Sequence, residues 1–150
     1  MLVYLDNCCY NRPFDDLRQD RVYLEAEAVL SIISNCEKGK WTLMSSGAIE
    51  FEMSQIPDFE RFEKVQNLYS AARYRAISSK SAENLAISLQ KYGIKPLDNM
   101  HLALAQTNGA DVFLTTDDKF LKNANRLKQI CGLTIKITNP ILFFMEGARK

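Results

Sequence analysis

Long apolar runs are missing from this sequence of 150 residues. No segment reaches the roughly 18 apolar residues that span a bilayer as a helix. Residues 1–5 also lack the basic start and cleavable apolar segment of a signal peptide, so we expect a cytoplasmic protein. Internal repeats and low-complexity linkers are absent too, and the length suits one domain. Residues 1–150 are therefore predicted to fold as a single unit.

A surplus of either charge is also missing. The chain has 19 Lys and Arg residues against 18 Asp and Glu residues, which leaves a net charge of +1. A near-neutral total supplies little long-range attraction for a polyanion. Any contact with a nucleic acid must therefore come from local clusters of basic side chains.

Zinc ligands are scarce in this chain. It contains four cysteines and one histidine, and no two cysteines have C-x-x-C spacing. A structural zinc site is therefore improbable. The cysteines are expected to be reduced thiols that pack as small apolar side chains; they are Cys8, Cys9, Cys36 and Cys131.

Strand patterns and helix patterns alternate along the chain, which is typical of an α/β fold with a parallel sheet covered on both faces. Short apolar runs predict strands over residues 2–6, 41–44, 111–115 and 133–137. Helical spacing and end signals predict helices over residues 20–36, 58–69, 81–92, 96–108 and 118–130, and a short helix from Ser46 to near Pro57. Residues 11–13 read as a loop, and residues 76–79 as a short strand or an extended link.

Isolated acids stand at the ends of these strands and at the starts of helices. Asp6 and Asp117 follow apolar strands, Asp98 opens a helix, and the helix after the second strand carries Glu50 and Glu52. In a parallel sheet, functional groups gather at the carboxyl ends of the strands. Each acid alone could be a helix cap or a first-turn acid. As a group they predict one shared acidic site.

The choice between the two glutamates follows from the helix register. If Ile49, Met53 and Ile56 face the core, Glu52 lies beside them and Glu50 lies well to the side. Glu52 is therefore the predicted inward acid. Glu50 is kept as the second choice.

A cluster of carboxylates needs a positive partner, and hard oxygen ligands suit Mg²⁺ or Mn²⁺. One or two such ions could activate a water for attack on a phosphodiester, which describes a metal-dependent nuclease. Asn7, Thr115 and Thr116 could hydrogen-bond the ligating oxygens or a phosphate. Arg12 and Lys119 could contact phosphates, although a solvated helix face explains Lys119 equally well.

His101 is the only histidine and lies one turn after Asp98. It could be a proton donor or a partner of a metal ligand. A hydrogen-bonded packing residue is the interpretation that we favour.

Four segments together resemble the motifs of PIN-domain ribonucleases, and the resemblance extends over nearly the whole chain. The segments are Leu5-Asp6-Asn7, the acid after Ser45-Ser46, residues 97–103 (LDNMHLA) and residues 109–117 (GADVFLTTD). The resemblance implies a three-layer α/β/α sandwich with a central, mostly parallel sheet of four or five strands. It also assigns the metal-site acids to Asp6, Glu52, Asp98 and Asp117, with Asp118 accessory.

The same resemblance implies a function. Many PIN domains are VapC-like toxins, which are Mg²⁺- or Mn²⁺-dependent endoribonucleases neutralised by an antitoxin protein, and homodimers are plausible by the same likeness. An alternative is a PIN-fold module that binds RNA or a protein and has weak or no nuclease activity. A third reading is an aspartyl-phosphate enzyme, but such enzymes need a second Asp two positions after Asp6, where this chain has Cys8.

Overall fold

The computed structural model describes residues 1–148, which form a parallel five-stranded sheet flanked by helices. The strand order is β3-β2-β1-β4-β5. The strands are β1 (Leu2–Leu5), β2 (Thr42–Ser45), β3 (Tyr74–Arg75), β4 (Val112–Leu114) and β5 (Lys136–Thr138). The predicted α/β class with a parallel sheet of four or five strands is confirmed, with five.

Eight α-helices connect and cover these strands within the described residues. They are α1 (Asn7–Asn11), α2 (Asp20–Glu37), α3 (Gly47–Ser54), α4 (Phe59–Tyr69), α5 (Lys80–Lys91), α6 (Asp98–Thr107), α7 (Asp118–Arg126) and α8 (Pro140–Ala148). Helix α2 packs against α8, and α5 packs against α6. No helix in this part of the chain is both long enough and apolar enough to cross a membrane.

The centre of the sheet is the centre of the core. Residues 3–5 of β1 and residues 113–114 of β4 are completely buried. Because helices cover both faces, these strands are continuously apolar instead of alternating. The aromatic ring of Tyr4 stacks on Phe113 of the neighbouring strand, with 5.3 Å between ring centroids. The two strands that precede Asp6 and Asp117 are therefore buried neighbours in the sheet.

The segment after β1 differs from the predicted loop. It forms the short helix α1 and then a 3-10 helix over Arg12–Phe14. Asp6 caps α1, since its Oδ1 accepts a hydrogen bond of 2.8 Å from the amide of Asn7. Pro13 fits the first turn of the 3-10 helix, where no N–H is needed.

Three other elements have bounds that differ from the predicted ones. The third strand lies at Tyr74–Arg75 and not at 76–79, because Tyr74 pairs with Met44 of β2. Helix α7 ends at Arg126, four residues before its predicted end. Strand β5 begins at 136 instead of 133, since the side chain of Gln106 accepts the amides of residues 134 and 135 in place of a strand partner.

Candidate metal site

The acids after β1 and β4 lie side by side because these strands are neighbours in the sheet. Leu5 is paired with Leu114, and the amide of Asp6 donates to the carbonyl of Leu114 at 2.9 Å. Asp117 begins helix α7 three residues after the end of β4, at the same carboxyl edge. Parallel pairing therefore brings together two acids that are distant in sequence.

An open cleft of about 340 Å³ lies at this edge. Four of the predicted acids line it, namely Asp6, Glu52, Asp98 and Asp117. Its other lining residues are Asn7, Cys8, Asn11, Arg12, Asp15, Ile56 and Thr116. The structure thus places acids from four separate segments around one space.

Asp6 is the most buried acid of the cleft, with 5% of its surface exposed. Its Oδ2 accepts hydrogen bonds from the hydroxyl of Thr115 at 2.8 Å and from the thiol of Cys8 at 3.4 Å. Burial raises the pKa of the Asp6 carboxyl well above its ordinary value, and the charges of Cys8 and Asp98 act in the same direction. A cation in the cleft would offset this cost.

Glu52 reaches the cleft from α3 and is held on both oxygens. Its Oε2 accepts a hydrogen bond of 3.1 Å from the side-chain amide of Asn7, and its Oε1 is hydrogen-bonded to Nε2 of His101. The other ring nitrogen of His101 lies 2.6 Å from the hydroxyl of Tyr4. His101 is completely buried, as expected for a hydrogen-bonded packing residue.

Glu50 points away from this cleft. Its carboxylate binds the guanidinium of Arg75 through both oxygens, at 2.5 and 3.1 Å, and accepts the hydroxyl of Tyr69 at 2.8 Å. The hydrogen bonds from Arg75 hold the pKa of Glu50 below its ordinary value. Of the two glutamates on α3, Glu52 alone lines the cleft.

Asp98 and Asp117 form the other wall. Asp98 opens α6 directly after Leu97, whose backbone has a φ of +76°, an uncommon value for a residue other than glycine. Burial raises the pKa of Asp98 to about 6, and the negative charges of Asp117 and Glu52 also favour its protonated form. Asp117 is exposed and caps α7 by accepting the amide of Phe120 at 3.1 Å.

Asp118, the predicted accessory acid, does not line the cleft. Both of its oxygens bind the guanidinium of Arg21, at 2.5 and 2.6 Å. Arg21 also donates to the carbonyl of Thr116 at 3.3 Å. Asp118 therefore ties α7 to α2, and this contact supports the loop that carries Thr116.

The two residues predicted to contact phosphates, Arg12 and Lys119, line two different cavities. Arg12 lines the cleft, but its Nη1 donates to Asp15 at 3.2 Å and its Nε lies 3.0 Å from Oε1 of Glu25. The contact between Arg12 and Glu25 is an ion pair whose atoms are not aligned for a hydrogen bond. Lys119 lines a smaller pocket of about 60 Å³ that shares Asp98 and Asp117 with the cleft.

The donor set fits a hard divalent cation. Among residues 1–148, no Lys or Arg forms an ion pair with Asp6, Glu52, Asp98 or Asp117. An oxygen of Asp6, an oxygen of Glu52 and a ring nitrogen of His101 lie within 4.8 Å of one another. Asp98 and Asp117 are outside this tight group and face it across the cleft. Carboxylates without a cationic partner are the ligands that Mg²⁺ and Mn²⁺ prefer.

The sequence profile of the PIN domain matches residues 11–126, which is more than half of the chain. The chain belongs to the PIN domain family. A comparison of this PIN domain with curated proteins gives no match.

The fold of this PIN domain is similar to that of a chain in the crystal structure of VapBC2 from Rickettsia felis bound to a DNA fragment from their promoter. The two chains share 15% sequence identity with a TM-score of 0.52. The similarity covers 93% of this chain and 98% of that chain. At 15% sequence identity, the similarity shows that the two chains share a fold.

Glu25, a residue that is absent from the predicted site, is completely buried next to Arg12 of the cleft. Its carboxylate accepts the side-chain amide of Asn139 at 2.6 Å and the Nε of Arg21 at 3.2 Å, and it also pairs with Arg12. A signal for it exists in the sequence. Glu25 lies three residues after Val22 and four before Val29, on the apolar face of its helix, where an acid must be paired.

Proposed function

We propose that this PIN domain is a divalent-metal-dependent endoribonuclease that hydrolyses RNA phosphodiester bonds with Mg²⁺ or Mn²⁺. The observation that carries the proposal is the set of four carboxylates that line one open cleft without an ion pair to any Lys or Arg of residues 1–148. A bound divalent cation would supply charge neutralisation of the phosphate and an activated water.

The chain's own residues have separate roles in this proposal. Asp6, Glu52, Asp98 and Asp117 hold the cation. The amide of Asn7 keeps Glu52 turned to the cleft, and Thr115 does the same for Asp6 through its 2.8 Å hydrogen bond.

Arg12 supplies a positive charge at the rim of the cleft. Its guanidinium is held by Glu25 and Asp15 but remains partly exposed. A guanidinium fixed in this way suits a phosphate of the bound strand, because it loses little side-chain freedom on binding.

The two glutamates of α3 provide a matched test. Glu52→Gln should lower cleavage of a single-stranded RNA by more than about 100-fold, because a ligand matters at least as much as its supporting residues. Glu50→Gln should leave cleavage within about 2-fold, since Glu50 pairs with Arg75 outside the cleft. Asp6→Asn and a chelator should each abolish cleavage. Equal activity of the two glutamine variants, or cleavage that persists in chelator, would contradict the proposal.

We further propose that an antitoxin protein blocks this cleft. The fold likeness to VapBC2 supports this part, together with exposed aromatic side chains near the cleft. Phe51 of α3 and Phe59 of α4 are 52% and 70% exposed, and Ile56 between these helices lines the cleft. Coexpression with the protein encoded by a short adjacent reading frame should suppress RNA cleavage. Undiminished cleavage by the purified complex would argue against it.

One observation favours a binding module with weak or no nuclease activity. Asp6 is nearly inaccessible, and its Oδ2 already accepts two hydrogen bonds. Calorimetric titration with Mn²⁺ separates the two functions. The nuclease requires binding at or below millimolar metal, and the module does not.

A further inference from the structure

A chain of buried hydrogen bonds ends on Glu52. The hydroxyl of Tyr4 lies 2.7 Å from Oγ of Ser46 and 2.6 Å from Nδ1 of His101, and Nε2 of His101 contacts Oε1 of Glu52. Tyr4, Ser46 and His101 have no exposed surface. They come from strand β1, from the cap of α3 and from α6, so three elements meet behind one cleft carboxylate.

The carboxylate of Glu52, at the end of the chain, determines which group donates in each of these hydrogen bonds. An ionised carboxylate only accepts, so Nε2 of His101 must carry the proton that it shares with Glu52. In a neutral ring Nδ1 is then the acceptor, and the hydroxyl of Tyr4 donates to it. The single hydroxyl hydrogen of Tyr4 is then used on His101, so the hydroxyl of Ser46 donates to the oxygen of Tyr4, while the Ser46 oxygen accepts the amide of Ile49 at 3.2 Å.

We propose that His101, backed by Tyr4, is a positioning residue that holds the Glu52 carboxylate in the orientation needed for the cation. This positioning role rests on the proposed function, because it assumes a cation in the cleft. Glu52 is then fixed from two sides, by His101 on Oε1 and by Asn7 on Oε2. A carboxylate held in this way loses little freedom when it binds a metal.

The competing role is direct ligation by His101. Its ring nitrogen lies close enough to Asp6 and Glu52 to share an ion with them. Three observations oppose this role. His101 does not line the cleft, it is completely buried, and ligation through Nε2 would break its bond to Glu52. The two roles predict different metals, since an all-oxygen set favours Mg²⁺ or Mn²⁺ and an added imidazole favours Zn²⁺.

Metal affinity measures the positioning role without any RNA. In Mn²⁺ calorimetry, His101→Ala should weaken binding by roughly 10- to 100-fold, the range for residues that support a ligand. His101→Gln should recover part of the loss, because its amide can still donate to Glu52. Tyr4→Phe should weaken binding by several fold while it keeps the ring that stacks on Phe113. Tyr23→Phe is the matched control, since it removes the hydroxyl of a half-exposed tyrosine on α2 and should change affinity by less than about 2-fold.

The ring of His101 can also be observed directly, because it is the only histidine in the chain. With ¹⁵N-labelled histidine, Nε2 should remain protonated in metal-free protein and in protein saturated with Mg²⁺. Tyr4→Phe should shift the Nδ1 resonance. This readout does not depend on whether His101→Ala folds.

The possible failures are distinguishable. Loss of the Nε2 proton on saturation with Mg²⁺ would identify His101 as a ligand and overturn the inference. Wild-type affinity in Tyr4→Phe and His101→Gln, with an unchanged ring spectrum in Tyr4→Phe, would overturn it as well. A wild-type protein that binds no Mn²⁺ would instead contradict the proposed function itself.

Discussion

Burial of the Asp6 and Asp98 carboxyls should lower the stability of the metal-free protein at neutral pH, because it raises the pKa of both groups. Asp98 shows this most clearly, because burial and its acidic neighbours Asp117 and Glu52 raise its pKa to about 6. Its folded state therefore holds a proton more tightly than its unfolded state, whose pKa is about 4. The free energy of unfolding therefore falls as Asp98 ionises between about pH 4 and about pH 6, and this decrease is complete at neutral pH.

Asp98→Asn should consequently stabilise the metal-free protein at pH 7. We expect a gain of about 1 kcal/mol after allowance for solvent screening, or roughly 2–4 °C in Tm. At pH 4 the gain should vanish, because Asp98 is then largely protonated in the wild type. Thermal unfolding in chelator at the two pH values measures the effect.

The control for this prediction is Asp118→Asn. Asp118 is a neighbouring acid, but it pairs with Arg21, and this pairing holds the pKa of its carboxyl below the ordinary value. Its substitution should not raise the Tm at either pH. Equal Tm values for Asp98→Asn and wild type at pH 7 would mean that the cleft acids do not destabilise each other.

At the scale of elements, Glu25 connects three parts of the fold. It joins its own helix α2 to Arg12 of the 3-10 helix and to Asn139, which precedes α8. Because Arg12 and Arg21 both depend on this carboxylate, Glu25 also supports the side of the cleft that they flank. Glu25 thus contributes both to the stability of the fold and to the position of the arginines beside the site.

Glu25→Ala should destabilise the protein by about 3 kcal/mol, the lower range for breaking a buried ion pair, since both arginines retain some access to water. Urea unfolding followed by circular dichroism measures this. Arg18→Ala is the control, because its ion pair with Asp16 is exposed and its loss should leave the free energy of unfolding nearly unchanged. A similar loss in both variants would show that Glu25 is not a connecting residue.

The elements also show how far the sequence could be read. The helix predicted over 20–36 is α2, because apolar spacing over five turns leaves little ambiguity. The patterns predict no helix at the position of α1, since it consists of one turn that depends on its cap at Asp6. The third strand, which the patterns place at 76–79, lies elsewhere for a similar reason. Two residues carry no periodicity, and pairing with β2 decides where they lie.

The site could be predicted in part. Asp6 and Asp117 follow apolar strands, so the strand-end rule places them at one edge. The chain from Tyr4 to His101 could not be predicted, because these residues are 97 positions apart and only the packing of α6 on β1 joins them. The role of Glu25 is not predicted either, because a buried acid is recognised by its partners, and one of them, Asn139, lies 114 positions away in the sequence.

At the scale of the whole molecule, the proposed function requires a near-neutral chain to bind a polyanion next to an acidic cleft. The net charge of +1 gives little overall attraction. The basic side chains that line these two cavities are Arg12 in the cleft and Lys95 and Lys119 in the adjoining pocket. With about three phosphate contacts, RNA affinity should fall with salt at a slope of about −2 in log–log form.

Lys95→Gln and Lys119→Gln together should make this slope shallower by about 1.4, since each phosphate contact to a single strand contributes about 0.7. Fluorescence anisotropy of a single-stranded RNA in the Asp6→Asn background, at fixed Mg²⁺, measures binding without cleavage. The matched control replaces Lys38 and Lys40, which lie between α2 and the start of β2, at the opposite edge of the sheet. That pair carries the same charge, so equal slopes for the two double variants would show that binding depends on overall charge and not on the pocket beside the acids.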